Sequence, residues 1–94
     1  MKIKSIVWFN DIIEKLIRKH NVQQYEVREV LANKPHFRFV EKGHRTSENV
    51  YAALGKADGD RYLVVFFVYK TDQRVLILSA RDMTKAERRR YDKT

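Results

Sequence analysis

The last quarter of the chain reads Arg74-Val-Leu-Ile-Leu-Ser-Ala-Arg81-Asp-Met-Thr-Lys-Ala-Glu87-Arg-Arg-Arg-Tyr91. Its apolar first half predicts a strand from Arg74 to Ala80. The spacing of Thr84 and Glu87 is that of a capping box, which predicts that a helix starts at Thr84. Arg81 therefore lies where a buried strand meets a cationic helix. A guanidinium in that position requires an anionic partner.

Two kinds of anion fit Arg81. Phosphate suits it, because the guanidinium fork matches phosphate oxygens bidentately and never loses its charge. The alternative is an internal ion pair with Asp82 or Glu87. The sequence leaves both open.

Upstream of this segment, the chain is mostly strand and turn. Arg61 to Lys70 is apolar on both faces, which predicts a central strand covered on both sides, either wholly core or leaving an aromatic edge for a partner. The turn before it, Lys56 to Asp60, places Gly59 at the position that needs unusual backbone freedom. Two further strands are predicted at His36–Glu41 and Asn49–Leu54, joined by a polar loop from Lys42 to Glu48.

The N-terminal part predicts an edge strand and two helices. The edge strand lies within Lys2–Trp8, and the first helix is capped by Asn10 or Asp11 and closed by Asn21. The second helix runs from about Gln23 to Ala32. The order β-α-α-β-β-β-β-α predicts one α+β domain over residues 1–94, with two N-terminal helices and a C-terminal helix on a twisted, mainly antiparallel sheet.

Composition adds a strong charge clue. Lys and Arg number 20 against 12 Asp and Glu, a net charge of +8. Such a field attracts polyanions, nucleic acid first and anionic lipid or an acidic protein next, although it also suits a basic domain that merely stays soluble. Cysteine is absent, no signal peptide is visible and no apolar run is long enough to span a membrane. A cytoplasmic location without membrane association is therefore expected.

The sequence lacks the motifs of metal-dependent catalysis, of Gly-rich phosphate-binding loops and of serine-based acyl transfer. The histidines His20, His36 and His44 have no metal-ligand spacing, no Gly-rich phosphate loop is present, and no Ser lies in a nucleophile elbow. No metal or other cofactor is expected. RNA cleavage without metal needs a base, cations for the phosphorane charge and a proton for the leaving oxygen.

Cations suited to phosphate occur at the predicted strand ends and on the last helix. Arg81 and Arg61 can reach the same end of the sheet, although Arg61 also has Asp58 and Asp60 beside it for an ion pair. Arg88 to Arg90 point in successive directions, so a solvated helix explains them as well as an RNA groove does. The candidate RNA-binding residues are Arg61, Lys85, Arg88, Arg89 and Trp8.

Proton carriers and stacking groups each have an ordinary structural alternative. His20, beside Lys19 at the end of the first helix, can shuttle protons or stabilise the helix dipole. Trp8 can stack on a base or pack in the core. Glu48 taken by itself is a solvated carboxylate.

The chain resembles BrnT-type toxins. The resemblance rests on the order of the following segments: Trp8, Lys19-His20-Asn21-Val22, Glu26-Val27-Arg28-Glu29-Val30, Ala53-Leu54-Gly55, Ser79-Ala80-Arg81-Asp82-Met83-Thr84 and Glu87-Arg88-Arg89-Arg90-Tyr91. It implies a RelE-like fold and a ribonuclease of a type II toxin–antitoxin system. It also implies a ribbon-helix-helix antitoxin that holds the toxin inactive and through which alone the complex contacts DNA.

The resemblance also implies roles for individual residues. Arg81 would contact the scissile phosphate, Lys19 and His20 would belong to the first-helix motif, Glu48 would act as a base, and Tyr91 would border the site. Arg81, Lys19, His20, Glu48 and Tyr91 are thus the candidate catalytic residues.

Three positions depart from the family pattern. Phe9 and Ile12 replace polar residues, and Asn49 replaces an arginine. The alternative function is therefore a non-catalytic module of the same fold that binds RNA or a protein.

Overall fold

The computed structural model describes residues 1–45 and 47–93. Thr46, in the predicted polar loop, and Thr94, the predicted domain end, lie outside the described residues. The elements are β1 (Ser5–Val7), α1 (Asn10–His20), α2 (Gln24–Ala32), β2 (His36–Glu41), β3 (Val50–Lys56), β4 (Tyr62–Tyr69), β5 (Arg74–Asp82) and α3 (Lys85–Asp92). The predicted α+β class and order of elements are confirmed.

The strands form one sheet in the order β1-β5-β4-β3-β2. Of the four strand pairs formed by the described residues, β1–β5 is parallel and the other three are antiparallel, so the sheet is mainly antiparallel as predicted. β4 is central and hydrogen-bonded on both sides, so the predicted central strand is confirmed. Of its aromatic residues, Phe67 is buried, whereas Tyr62, Phe66 and Tyr69 are partly exposed. The edge strands are β1 and β2.

Each face of β4 packs in a different core. On the helical face, Leu63, Val65 and Phe67 are fully buried beneath α1 and α2, together with Leu16 and Val27. Burial of each such side chain contributes about 1.5–3 kcal/mol. The opposite face, called the α3 face below, has a smaller core of Ala52, Leu54 and Val64, packed by Phe66, Met83 and Tyr91.

A bulge in β5 decides which face Arg81 occupies. Phe67 pairs with Ile77 but Phe66 pairs with Ser79, which leaves Leu78 as an extra residue. Side chains alternate along a strand, so without the bulge Arg81 would lie opposite Leu63 on the helical face. With it, Arg81 lies opposite Val64 on the α3 face. The bulge therefore directs the arginine away from the main core.

Two helix termini match their predictions and one corrects them. Asn21 adopts the left-handed conformation (φ 52°) at the end of α1, as predicted. Thr84 is the N-cap of α3, and its hydroxyl accepts from the Glu87 N–H at 3.1 Å. The predicted cap of α1 at Asn10 or Asp11 is wrong: the N-cap is Phe9, whose carbonyl accepts the first helical hydrogen bonds.

The turn before β4 also differs from the prediction. The left-handed residue is Asp60 (φ 61°), whereas Gly59 has no positive φ. Asp tolerates this conformation because its short polar side chain can bond locally, so the glycine is not required there. No described helix is long and apolar enough to cross a membrane.

Candidate functional site

Arg81 is anchored at the end of β5 by the carboxylate of α3. Its Nη1 and Nη2 donate to Glu87 Oε1 and Oε2 at 2.7 and 3.0 Å, and Nη1 also donates to the Asp82 carbonyl at 3.0 Å. The guanidinium carbon lies 5.4 Å from the centre of the Phe66 ring. The side chain remains 36% exposed. The ion pair with Glu87 was one of the two alternatives that the sequence left open.

This anchoring leaves one edge of the guanidinium accessible. Arginine carries five N–H donors. The Glu87 carboxylate accepts one N–H from each of Nη1 and Nη2, at the tip of the guanidinium, and the Asp82 carbonyl accepts the other N–H of Nη1. Within residues 1–45 and 47–93, Nε–H and the outer Nη2–H have no acceptor. These two donors are parallel, so Arg81 can bind a second anion bidentately while its ion pair with Glu87 stays formed.

Glu87 is a charged hydrogen-bond acceptor for Arg81 and a weak base. The hydrogen bonds from Arg81 lower the pKa of Glu87 to about 2, partial burial opposes them, and the Thr84 N–H at 2.8 Å assists. The carboxylate is consequently charged at neutral pH, and its low pKa leaves little tendency to accept a proton. Glu87 therefore fixes the orientation of Arg81.

Arg61 provides the contrast, because its donors are all engaged. Nε and Nη2 donate to Asp82, Nη1 to Glu26 and to the Asn21 carbonyl, and Nη2 also to the His20 carbonyl. These bonds satisfy carbonyls at the end of α1 and tie that helix to α2 and β5. RNA binding by Arg61 stays a prediction, but the observed geometry is that of a structural clamp.

Lys19 and His20 lie at the same end of the sheet as Arg81, on its other side. Asp82 pairs with Leu63, which belongs to the helical face, whereas Arg81 faces α3. Arg61 chiefly, and His20 more weakly, lower the pKa of Asp82. His20 is thus near Asp82 rather than in contact with Arg81. Lys19 is exposed.

Tyr91 lies on the α3 face with Arg81. Its ring centre is 4.8 Å from that of His36 and 5.9 Å from that of Tyr62. The Arg88 guanidinium lies 4.0 Å from the centre of the Tyr62 ring, and the Tyr62 hydroxyl donates to Asp92 at 3.0 Å. Cationic and aromatic groups therefore line the C-terminal half of α3, while Lys85 and Arg89 are exposed.

Glu48 lies at the opposite end of the sheet. Arg81 pairs with Val64 and Val64 with Leu54, so Glu48 is displaced from Arg81 by six residues, roughly 20 Å along the strands. Burial acts to raise the pKa of Glu48, but hydrogen bonds from the Thr71 N–H and from Lys70 outweigh it and lower the pKa overall.

A groove of about 470 Å³ lies beside Glu48 on the α3 face. Its floor is apolar, and its rim carries charged side chains. The lining residues are Glu41, Lys42, Gly43, His44, Arg45, Glu48, Val50, Val68, Lys70, Leu76 and Leu78.

Trp8 and the three histidines belong to different parts of the fold. Trp8 is partly buried and packs against the core of the helical face, in line with its structural alternative. His20, His36 and His44 lie on α1, on β2 and in the 42–48 loop. Across the described ranges, no three His, Asp or Glu side chains come together as a metal site.

Two residues on the Arg81 face were missed by sequence reasoning. His36 and Arg38 pair with Leu54 and Ala52, which belong to the α3-face core. A signal was present, because Phe37 and Phe39 alternate with them along the same strand. Apolar residues on one face of a strand place the polar ones on the other.

Comparisons with known proteins agree with the resemblance. The model of the family described as "Ribonuclease toxin, BrnT, of type II toxin-antitoxin system" matches residues 8–87. A solved structure, the Brucella abortus ribonuclease toxin BrnT, has the same fold with a TM-score of 0.60. The two chains are 17% identical over 86% of this chain and 97% of that one. No curated protein matches significantly. Because the family match spans most of its length, the chain belongs to the BrnT family of ribonuclease toxins of type II toxin–antitoxin systems.

Proposed function

We propose that the chain, acting as one domain over residues 1–94, is an endoribonuclease that cuts RNA without a metal ion and binds the scissile phosphate through Arg81. The observation that carries this proposal is the accessible edge of the Arg81 guanidinium, with Nε–H and the outer Nη2–H side by side. A phosphate can dock there without breaking the ion pair with Glu87. Arg61, with all its donors engaged, offers no such edge.

The reaction we propose is attack by the 2′-oxygen of the RNA on the adjacent phosphorus. The bond from phosphorus to the 2′-oxygen forms and the bond to the 5′-oxygen breaks, leaving a cyclic phosphate. A base removes the 2′ proton and an acid protonates the leaving 5′-oxygen. Arg81 stabilises the added negative charge because its donors are held in place before the reaction begins. Glu87 is a positioning residue.

The proton carriers are proposed from the five candidate catalytic residues. His20 and Lys19 lie at the Arg81 end of the sheet but on its helical side, whereas Tyr91 lies on the α3 face with Arg81. Glu48 lies roughly 20 Å away along the strands. We therefore assign His20 rather than Glu48 to proton transfer. A pH–rate profile that loses a limb in His20→Gln but keeps it in Glu48→Gln supports this assignment; the reverse result assigns Glu48.

Membership of a type II family implies an antitoxin partner. We propose that this antitoxin is a ribbon-helix-helix protein, that it neutralises the toxin in the cytoplasm, and that DNA is contacted only through the complex. The net charge of +8 favours an acidic toxin-binding segment in that partner. Co-expression with a candidate ribbon-helix-helix protein tests the proposal: growth should recover and the two chains should co-purify, and persistent growth arrest contradicts it.

An RNA cleavage assay tests the enzyme proposal. The purified chain should cut total RNA in the presence of EDTA, and Arg81→Ala should abolish cutting while leaving the far-ultraviolet circular dichroism spectrum intact. Arg18→Ala removes the same charge from α1 and serves as the matched control. Intact RNA with the unmodified chain contradicts the proposal.

Two observations favour a second candidate function. Glu48 is tied to Lys70 and lies far from Arg81, and Asn49 follows it where the family pattern has an arginine. A non-catalytic RNA-binding module of the same fold explains both. It predicts intact RNA, together with binding that weakens steeply as salt is added.

A further inference from the structure

A second cluster of cations lies on the α3 face, at the far end of the helix from Arg81. Strand register aligns Arg81, Val64, Leu54 and His36 in one row across four strands. Three inter-strand spacings separate the ends of the row, which is roughly 14 Å. A ligand held by Arg81 can therefore extend to β2 on the same face.

A small pocket forms where the C-terminal half of α3 meets β2. Its volume is about 190 Å³, and His36, Arg38, Leu54, Arg90 and Tyr91 line it. This is smaller than the ~300 Å³ at which pockets for drug-sized ligands begin, and it suits a single base. Among the described residues, those that line the pocket include two arginines and no carboxylate, so the pocket is cationic.

The pocket combines aromatic rings with arginines that have no internal partner. The His36 and Tyr91 rings lie 4.8 Å apart between centres, at an interplanar angle of 44°. Arg38 and Arg90 are exposed, and neither makes a hydrogen bond or ion pair with any residue in the two described ranges. Both guanidinium groups are thus available to an external anion.

The geometry points to a second RNA-binding site here: Arg38 and Arg90 bind backbone phosphates, and an unpaired base stacks against His36 and Tyr91. The identity of the ligand rests on the proposed function. Stacking on side chains needs a base removed from a duplex, so the strand bound is single-stranded. An acidic peptide would use the arginines but not the rings.

Two anchors on one face set the path of the RNA. The strand crosses the sheet along α3, with the scissile phosphate at Arg81 and flanking nucleotides at Arg38. RNA too short to span roughly 14 Å reaches only one anchor. Affinity for RNA should therefore rise with the length of the strand, and only longer strands should bind both sites at once.

Binding of non-cleavable 2′-O-methyl RNA to the full chain tests this inference. The probes are single strands of about eight nucleotides and a dinucleotide, measured with the unmodified chain and with His36→Ala, Arg38→Ala, Arg90→Ala and the control Arg18→Ala. His36→Ala should weaken binding of the longer strand at least fivefold, near the lower limit for one stacked base. Arg38→Ala and Arg90→Ala should each reduce the salt slope by about 0.7. Because a dinucleotide reaches only one anchor at a time, each of the three should weaken its binding less than it weakens binding of the longer strand.

The outcomes separate this inference from the proposed function. If Arg81→Ala abolishes cleavage but the three variants bind the longer strand as Arg18→Ala does, the second site is refuted and the enzyme proposal stands. If RNA is never cut but the variants lose affinity as expected, the site stands and the enzyme proposal fails. Loss of antitoxin binding with unchanged RNA affinity identifies a protein contact instead and overturns the inference.

Discussion

Replacing Glu87 with glutamine should destabilise the protein through a single identifiable interaction. The pKa of Glu87 falls from its ordinary 4.5 to about 2 on folding, mainly because Arg81 donates two hydrogen bonds to the carboxylate. At about 1.4 kcal/mol per pKa unit, the charged form gains about 3 kcal/mol. Water reaches the partly exposed Arg81 and screens the pair, so we expect Glu87→Gln to lower the free energy of unfolding by about 2 kcal/mol at pH 7.

The stabilisation contributed by Glu87 should depend on pH and should be lost in acid. A folded-state pKa below the unfolded value stabilises the protein above pH ~4.5, and the stabilisation is lost as the pH falls toward 2. The difference between the unmodified chain and Glu87→Gln should therefore narrow by about 1 kcal/mol between pH 7 and pH 3.5. Urea denaturation followed by tryptophan fluorescence measures both quantities. Glu14→Gln, an exposed carboxylate on α1, is the control and should change neither. Equal stability of Glu87→Gln and the unmodified chain at pH 7, or a difference independent of pH, would refute the role assigned to the ion pair.

Three further substitutions test the fold that positions the site. Arg61→Ala should lower the unfolding free energy by about 2–4 kcal/mol, because it leaves the Glu26 carboxylate and the carbonyls at the end of α1 without their partner; urea titration checks this, and a loss below 1 kcal/mol would argue against the clamp. Asn21→Ala should lower the free energy of unfolding by about 1 kcal/mol because φ is positive at this residue, whereas Asn21→Gly should leave it nearly unchanged. Equal melting temperatures for the two variants would contradict the left-handed conformation at the end of α1. Gly55→Val should lower the free energy of unfolding, measured by urea titration, by about 1–3 kcal/mol, since a Cβ at Gly55 already lies 3.2 Å from both Pro35 and Val30. Gly59→Val is the matched control, because a Cβ at Gly59 meets nothing within 4 Å.

Local patterns predicted most of the fold correctly. The apolar run from Tyr62 to Tyr69 identified the central strand because only a central strand buries both faces. Thr84 and Glu87 identified the start of α3 because a capping box is formed by residues three apart. Asn21 identified the end of α1 because few residues tolerate a positive φ.

Features that depend on distant residues were not predictable in this way. The partners of Arg61 lie up to 41 residues away, and its immediate neighbours Asp58 and Asp60 were the wrong guess for its ion pair. The bulge at Leu78 changes the face that Arg81 occupies, yet it is defined by pairing with β4 rather than by any motif in β5. The separation of Glu48 from Arg81 follows from the register of three strands. The bulge at Leu78 and the separation of Glu48 from Arg81 depend on how the strands pair, which no local pattern in the sequence specifies.

RNA cleavage by Arg81 variants tests directly whether Arg81 binds the scissile phosphate. Arg81→Ala and Arg81→Lys are compared with the unmodified chain in one RNA cleavage assay containing EDTA. Urea denaturation checks that each variant is folded, with a midpoint lowered by no more than the loss of the ion pair with Glu87 explains. Lysine keeps the charge but lacks the side edge formed by Nε–H and Nη2–H, so it should not restore activity. The unmodified chain should cleave RNA, and both folded variants should cleave it at least about 100-fold more slowly, the lower end of the effect of removing one preorganised donor. Cleavage at the unmodified rate by folded Arg81→Ala would contradict this role of Arg81.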